Sequence, residues 1–150
     1  TATPELYTLS LHDALPIWLS GPLLDRIDIH VDVPALSFDE LADNRPSGPS
    51  SAEVRATVQE ARNRQRARYR GRAACNAHLD SKGMREHCHM SDGAQRILES
   101  ALDRLGLSAR AYDKVLRVAR TLTDLDGQDT ITEQHVGEAV QYRSLDKTLF

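Results

Sequence analysis

Arg26 stands in Asp25-Arg26-Ile27-Asp28, immediately ahead of an alternating β-branched stretch. A guanidinium is planar, permanently charged and shaped for bidentate binding of phosphate or carboxylate oxygens. Held at the head of rigid structure, it can stabilise the charge that develops on a transferring phosphoryl group. Taken alone, the residues favour the plainer reading, an ion pair of Arg26 with Asp25 or Asp28. Arg110 follows Ser108, a helix-capping residue type, and so falls in a first helical turn, where unsatisfied N–H groups and the macrodipole favour anions. The ordinary alternative is a surface arginine on an amphipathic helix. A third group, Arg62, Arg64, Arg66, Arg68, Arg70 and Arg72, runs around Tyr69. Nucleic-acid backbone contact is one reading of it. A solvated helix pairing with the acidic remainder is the favoured one, because alternate arginines fan round a helix and no base-reading motif accompanies them.

Cys75, His78, His87, Cys88 and His89 raise the question of zinc, since Cys-x₂-His is an acceptable half-site. Their spacing fits no standard finger, and residues 87–89 are adjacent on an expected helix and point in different directions. A buried Cys88 with surface histidines accounts for them better, and no metal site is expected.

The elements that must position these groups can be read in order. The string Leu6 to Ile17 shows no sustained period and reads as translated sequencing-adaptor read-through, so that the native sequence is expected to begin near Leu19. An ordinary frayed N-terminus is the alternative. Ile27, Ile29, Val31 and Val33 alternate with Asp28, His30 and Asp32 up to Pro34, which predicts a strand. Such a strand needs a sheet, and no later segment offers a convincing partner. Asn44 to Ser50 is a linker by composition. Ser50 with Glu53 forms a capping box that opens a helix to about Tyr69, stopped by Gly71. A short helix follows Asp80, over about Ser81 to Cys88. Ser91 caps a helix whose buried face is Ala94, Ile97, Leu98, Ala101, Leu102 and Leu105, closed by Gly106. Ser108 caps another, with Tyr112, Val115, Leu116, Ala119 and Leu122 inward and Gly127 past its end. Thr132 caps the last, with Val136, Ala139 and Val140 inward.

Composition sets the bounds. The 150 residues suit one ordinary domain, with 40% apolar residues and only seven aromatics, so the core is aliphatic and helices are favoured. Net charge is −3, but residues 52–72 hold seven arginines against two glutamates, leaving the rest of the chain at −8. This asymmetry can mark an anionic partner. Two cysteines are too few for a disulfide framework and suit a reducing, cytoplasmic setting. The run Ala14 to Leu19 is too short to cross a membrane, and no basic region precedes it as in a signal peptide.

The stretch Ser20-Gly21-Pro22-Leu23-Leu24-Asp25-Arg26 through Pro34 resembles the end of the ATPase core in magnesium-chelatase-like AAA+ proteins, especially the competence-protein type. In that family a Pro-Leu-Leu-Asp-Arg stretch leads into the last core strand, and the resemblance implies that Arg26 is the arginine finger. Leu105-Gly106-Leu107-Ser108-Ala109-Arg110-Ala111-Tyr112, continuing to Leu125, resembles the sensor-2 helix of the family's lid and makes Arg110 the nucleotide-sensing arginine. Arg117 and Arg120, on later turns, are read as structural. Ser51 to Arg55, Asn76 to Leu79 and Ala139 to Asp146 resemble the family's C-terminal domain, so the likeness covers roughly residues 19–147. The helix from 51 to 70 resembles the insertion that displaces the lid in this clade, in which case Arg110 would act on a neighbouring subunit's ATP.

The resemblance implies a mainly α fold. One β-strand left from the AAA+ core sheet precedes a helical bundle, the lid with its magnesium-chelatase-like C-terminal domain. The expected divisions are a non-native or disordered leader (1–18), the end of the core (19–43), a linker (44–50) and the lid (51–147). No Gly-x-x-x-x-Gly-Lys-Ser/Thr occurs, and no apolar strand ends in paired acids. These residues alone are therefore expected to bind neither ATP nor Mg2+, and a longer parent to hydrolyse ATP in a homo-oligomeric ring, a hexamer by resemblance. DNA processing in recombination and natural transformation, of the branch-migration helicase type, is the task the family implies. Two alternatives stay open: a non-enzymatic helical DNA-binding module, and a magnesium-chelatase ATPase subunit.

Overall fold

The computed structural model describes residues 26–31, 33–38, 48–71 and 75–143. Five α-helices follow one another from Ser51: α1 (Ser51–Tyr69), α2 (Ser81–His87), α3 (Asp92–Leu105), α4 (Ala109–Leu125) and α5 (Glu133–Gln141), with a 3₁₀ turn at Asn76–His78. The fold is mainly helical, as the aliphatic periodicities predict. The expected leader and most of the linker lie outside the described residues.

Each helix starts where a polar side chain takes up an orphan N–H. Ser50 Oγ accepts from the Glu53 amide at 3.3 Å, while the Glu53 carboxylate accepts from the Ser50 amide at 2.7 Å, a complete capping box. The hydrogen bonds from Ser50 hold the Glu53 carboxyl below its ordinary range. Asp80 caps α2 through the Gly83 amide at 2.7 Å. Ser91 and Ser108 cap α3 and α4 through Ala94 and Ala111, at 3.1 and 3.2 Å. At α5 the Thr132 amide donates to His135 Nδ1 at 3.0 Å, a histidine doing what Glu does in the usual box. Gly106 closes α3 in the left-handed conformation, φ 60. At the end of α1 it is Arg70 that first turns left-handed, φ 46, with Gly71 following at φ 84.

The core gathers Tyr69, Leu79, Met84, Cys88, Ala94, Leu98, Val115, Leu116, Ala119, Ile131, Val136 and Ala139. Helix α5 packs on both α3 and α4, and α1 lies along α4. A single parallel bridge between Met90 and Ile131 ties the approaches to α3 and α5 together, Ser91 N–H donating to Ile131 C=O and Ile131 N–H to His89 C=O, both at 2.9 Å. The expected inward faces of α4 and α5 are confirmed. On α3, Ile97 departs from expectation and is exposed at the mouth of a groove with Arg96, Arg104 and Leu105. It sits at the margin of the apolar arc, whose centre is held by Ala94 and Leu98.

The largest difference concerns residues 27–33. Over the described residues this segment joins no ladder. Its described residues run as irregular backbone across the bundle, with Ile27, Ile29, Val31 and Val33 exposed. The physical reason is the one that its sequence poses: a period-two strand forms against another strand, and none is offered by a helical domain. No helix among the described residues is long and apolar enough to cross a membrane.

Candidate functional site

Arg26 is exposed at the start of the described chain, in a turn. The residues after it are fastened to the bundle by polar contacts. Arg143, almost completely buried, donates to the carbonyl of Ile27. Lys114 Nζ lies 2.6 Å from Asp28 Oδ1, the lysine buried and the aspartate exposed. The His30 amide donates to the Tyr142 carbonyl at 2.8 Å. Beneath this strap, Ile29 and Val31 border a groove of about 450 Å³ with Val118, Leu122 and Leu125 of α4. Asp28 is thus taken by Lys114, a partner that local sequence gave no reason to expect.

Arg110 occupies the first turn of α4, directly after the Ser108 cap, and is exposed. Lys114, one turn further along the same helix, is the residue that holds Asp28. One of the two arginines singled out by sequence thus stands at the head of α4, and the other precedes a strap tied to that helix through Asp28.

The arginine run divides in two. Arg62, Arg66 and Arg70 are exposed, joined on the same side by Arg55. Arg64 and Arg68 turn toward the bundle and are half-buried. Arg64 stands 3.9 Å from Glu60. Arg68 grips Asp124 with both guanidinium nitrogens, one at 2.9 Å, and so leaves the candidate nucleic-acid surface. The pairing has a physical reason: Asp124 is buried and needs compensating charge. Arg72 lies outside the described residues.

Sequence reading missed the network built on that carboxylate. Asp124 also accepts from Arg120 at 3.0 Å and from Asn76 Nδ2 at 2.9 Å. Asn76 in turn accepts from the Tyr69 hydroxyl and donates its amide to Gln65 at 3.1 Å. Burial by itself would raise the Asp124 carboxyl. The hydrogen bonds from Arg68 and Asn76, together with the two arginine charges, outweigh it and hold the group below its ordinary value. The hydrogen bond to Asp124 correspondingly raises Arg68, against burial. The available signal was Arg120 and Asp124 at i, i+4, inside an apolar helix stripe. Arg120 also binds the Gln128 and Asp129 carbonyls, and Arg117 the Leu79 carbonyl at 2.9 Å, so both are structural as read.

Cys88 is buried and its thiol is pushed up to about 11 by that burial, whereas His89 is exposed. His87 meets the Tyr69 ring edge-on at 5.2 Å. Cys75 Sγ approaches His78 Nδ1 at 3.3 Å. Among the described residues no three His, Cys, Asp or Glu side chains are grouped to hold a metal ion.

Residues 48–143 match the family described as magnesium chelatase, subunit ChlI C-terminal. Competence protein ComM of Haemophilus influenzae is 40% identical over 131 residues, 87% of this chain and 25% of that protein. The uncharacterized protein YifB of Escherichia coli is 42% identical over 131 residues, with the same coverage. An uncharacterized protein of Mycobacterium tuberculosis is 36% identical over 126 residues, 83% of this chain and 25% of its own length. The chain thus spans about a quarter of the curated relatives that it matches. With the match taking in α1 to α5, the chain belongs to the magnesium-chelatase-like family, of the ComM type, and carries its ChlI C-terminal domain.

Proposed function

We propose that this chain is the C-terminal part of a AAA+ ATPase motor that assembles as a homo-oligomeric ring, a hexamer by family resemblance, in the cytoplasm. Arg26 serves as the arginine finger on a neighbouring subunit's ATP, and Arg110 as the sensor-2 arginine. The observation that carries this reading is the clamping of the strap behind Arg26 onto the helix headed by Arg110. Two exposed guanidiniums are thereby carried by segments tied to one another, which suits phosphoryl-transfer catalysis by positioning and charge. The other half of the site, with the phosphate loop and the residues for Mg2+, belongs to sequence that this chain does not contain. No residue here is assigned to the metal, and ATP is bound as substrate between subunits. The motor acts on DNA in recombination or natural transformation, a task suggested by the relative named as a competence protein.

The test is ATP turnover by the full-length protein with and without Arg26→Ala. A finger is worth about 10³–10⁵ in rate. Mixing the dead variant with a subunit that has an intact finger and a disabled phosphate loop restores turnover if Arg26 works across an interface. Normal turnover by Arg26→Ala overturns the assignment.

A second reading, a helical DNA-binding module, is favoured by one observation. Arg55, Arg62, Arg66 and Arg70 lie along the solvent side of α1, where phosphates could meet them. Under it, Arg62→Ala with Arg66→Ala lowers DNA affinity and flattens its salt dependence, while Arg26→Ala does neither. The magnesium-chelatase subunit alternative is less well supported, since a relative 40% identical is named a competence protein.

A further inference from the structure

We infer that Lys114 and Asp28 are positioning residues for turnover, forming a latch through which the helix headed by Arg110 sets the place of Arg26. The inference rests on the proposed roles of those two arginines and names what connects them. Lys114 is buried and lies 2.6 Å from the exposed carboxylate of Asp28. Two further ties, Arg143 to the Ile27 carbonyl and the His30 amide to the Tyr142 carbonyl at 2.8 Å, fix the same strap from the far end of α5. The ties differ in kind. Those from Arg143 and Tyr142 go to backbone atoms of the strap. The Lys114–Asp28 pair is an ion pair between side chains of the strap and α4, two residues beyond Arg26 and one turn beyond Arg110.

The aliphatic side chains of the strap are covered only in part, Ile27 being 37% and Val31 64% exposed, and none of them is buried in the core. A segment held by a few polar contacts can shift as a unit when one of them is released, which a segment buried in the core cannot do. A displacement of α4 when Arg110 meets a phosphate is therefore passed to Arg26 through this pair. Released, the strap keeps its backbone ties for a smaller fraction of the time and no longer follows α4. The latch thus affects how often Arg26 is in place and leaves nucleotide affinity alone.

The experiment uses the full-length protein and two readouts. Steady-state ATP turnover is measured for wild type, Asp28→Asn, Lys114→Met, Lys114→Arg and the charge-swapped pair Asp28→Lys with Lys114→Asp. Hydrogen exchange at the His30 amide reports strap docking without reference to activity. Asp28→Asn removes the pair from its exposed side and spares the packing around Lys114. Expected are a protected His30 amide in wild type and faster exchange in Asp28→Asn and Lys114→Met. Both variants should lose about 10²-fold in kcat, the scale set by an ångström of misplacement, at unchanged KM. Lys114→Arg and the swapped pair should recover most of it. An unprotected His30 amide in wild type overturns the latch. So does normal turnover in Asp28→Asn and Lys114→Met alongside a dead Arg26→Ala, and that outcome leaves the finger assignment standing. Normal turnover in Arg26→Ala removes the finger itself, and the latch with it, while His30 protection is unchanged.

Discussion

The strap and the bundle are both rich in aliphatic residues, yet they are held in opposite ways. In the bundle, Leu98, Val115 and Val136 are buried, and the helices stay together by removing that surface from water. In the strap, Ile27, Ile29, Val31 and Val33 are exposed, and position comes from Lys114, Arg143 and the Tyr142 carbonyl. A helical stripe finds its partner inside the same chain. A period-two face needs another strand, so its burial depends on structure that this domain does not supply. Stability should therefore concentrate in the bundle, and positional information in the strap.

The sharpest way to break the bundle is through Asp124. Asp124→Asn leaves Arg68 and Arg120 facing an amide that cannot compensate two charges, and should cost about 3–5 kcal/mol in urea unfolding. The pH dependence follows from the depressed carboxyl. The unfolded state binds the proton more readily, so the contribution is complete above the unfolded value, near 4. It is lost as pH falls through the lower folded value. Wild type should lose stability progressively below about pH 4, and Asp124→Asn should lose less over the same window. Next in size is Leu98→Ala, a fully enclosed side chain between α3 and its neighbours, at about 2–5 kcal/mol by the same measurement. Ser108→Ala removes the acceptor for the Ala111 amide and should cost about 1 kcal/mol. Because it frays the turn that carries Arg110, it also tests whether that arginine needs an ordered helix start: turnover of the full-length protein should fall as well.

The helices were legible because their signals are local. Ser50 with Glu53, Ser91, Ser108 and Gly106 mark termini within a few residues, and the stripes of α4 and α5 repeat every turn. The failures share a cause, which is distance along the chain. Arg68 reads as one of six similar arginines until Asp124, 56 residues away, is seen beneath it. The alternation from Ile27 to Val33 predicts a strand as a local preference, but whether a ladder forms is decided by a partner, and among the described residues none forms there. Asp28 and Lys114 illustrate the same point at the candidate site: no spacing rule joins residues so far apart, and only the fold shows them as a pair.

The smallest expected effect tests the other half of the comparison. Val33 is 78% exposed on the strap's continuation. Val33→Thr keeps the β-branched shape and replaces a methyl with a hydroxyl, so in this chain it should change stability by no more than about 0.5 kcal/mol. In a longer protein where the alternating face is paired in a sheet, the same hydroxyl would be buried, at a cost of about 1–3 kcal/mol if it finds no partner. Urea unfolding of Val33→Thr in the two lengths of chain therefore reads directly where the aliphatic face is covered. A cost that appears in both would mean that the strap is packed by its side chains after all. A cost confined to the longer chain would establish that the bundle holds the strap by polar contacts while a sheet elsewhere buries its aliphatic face.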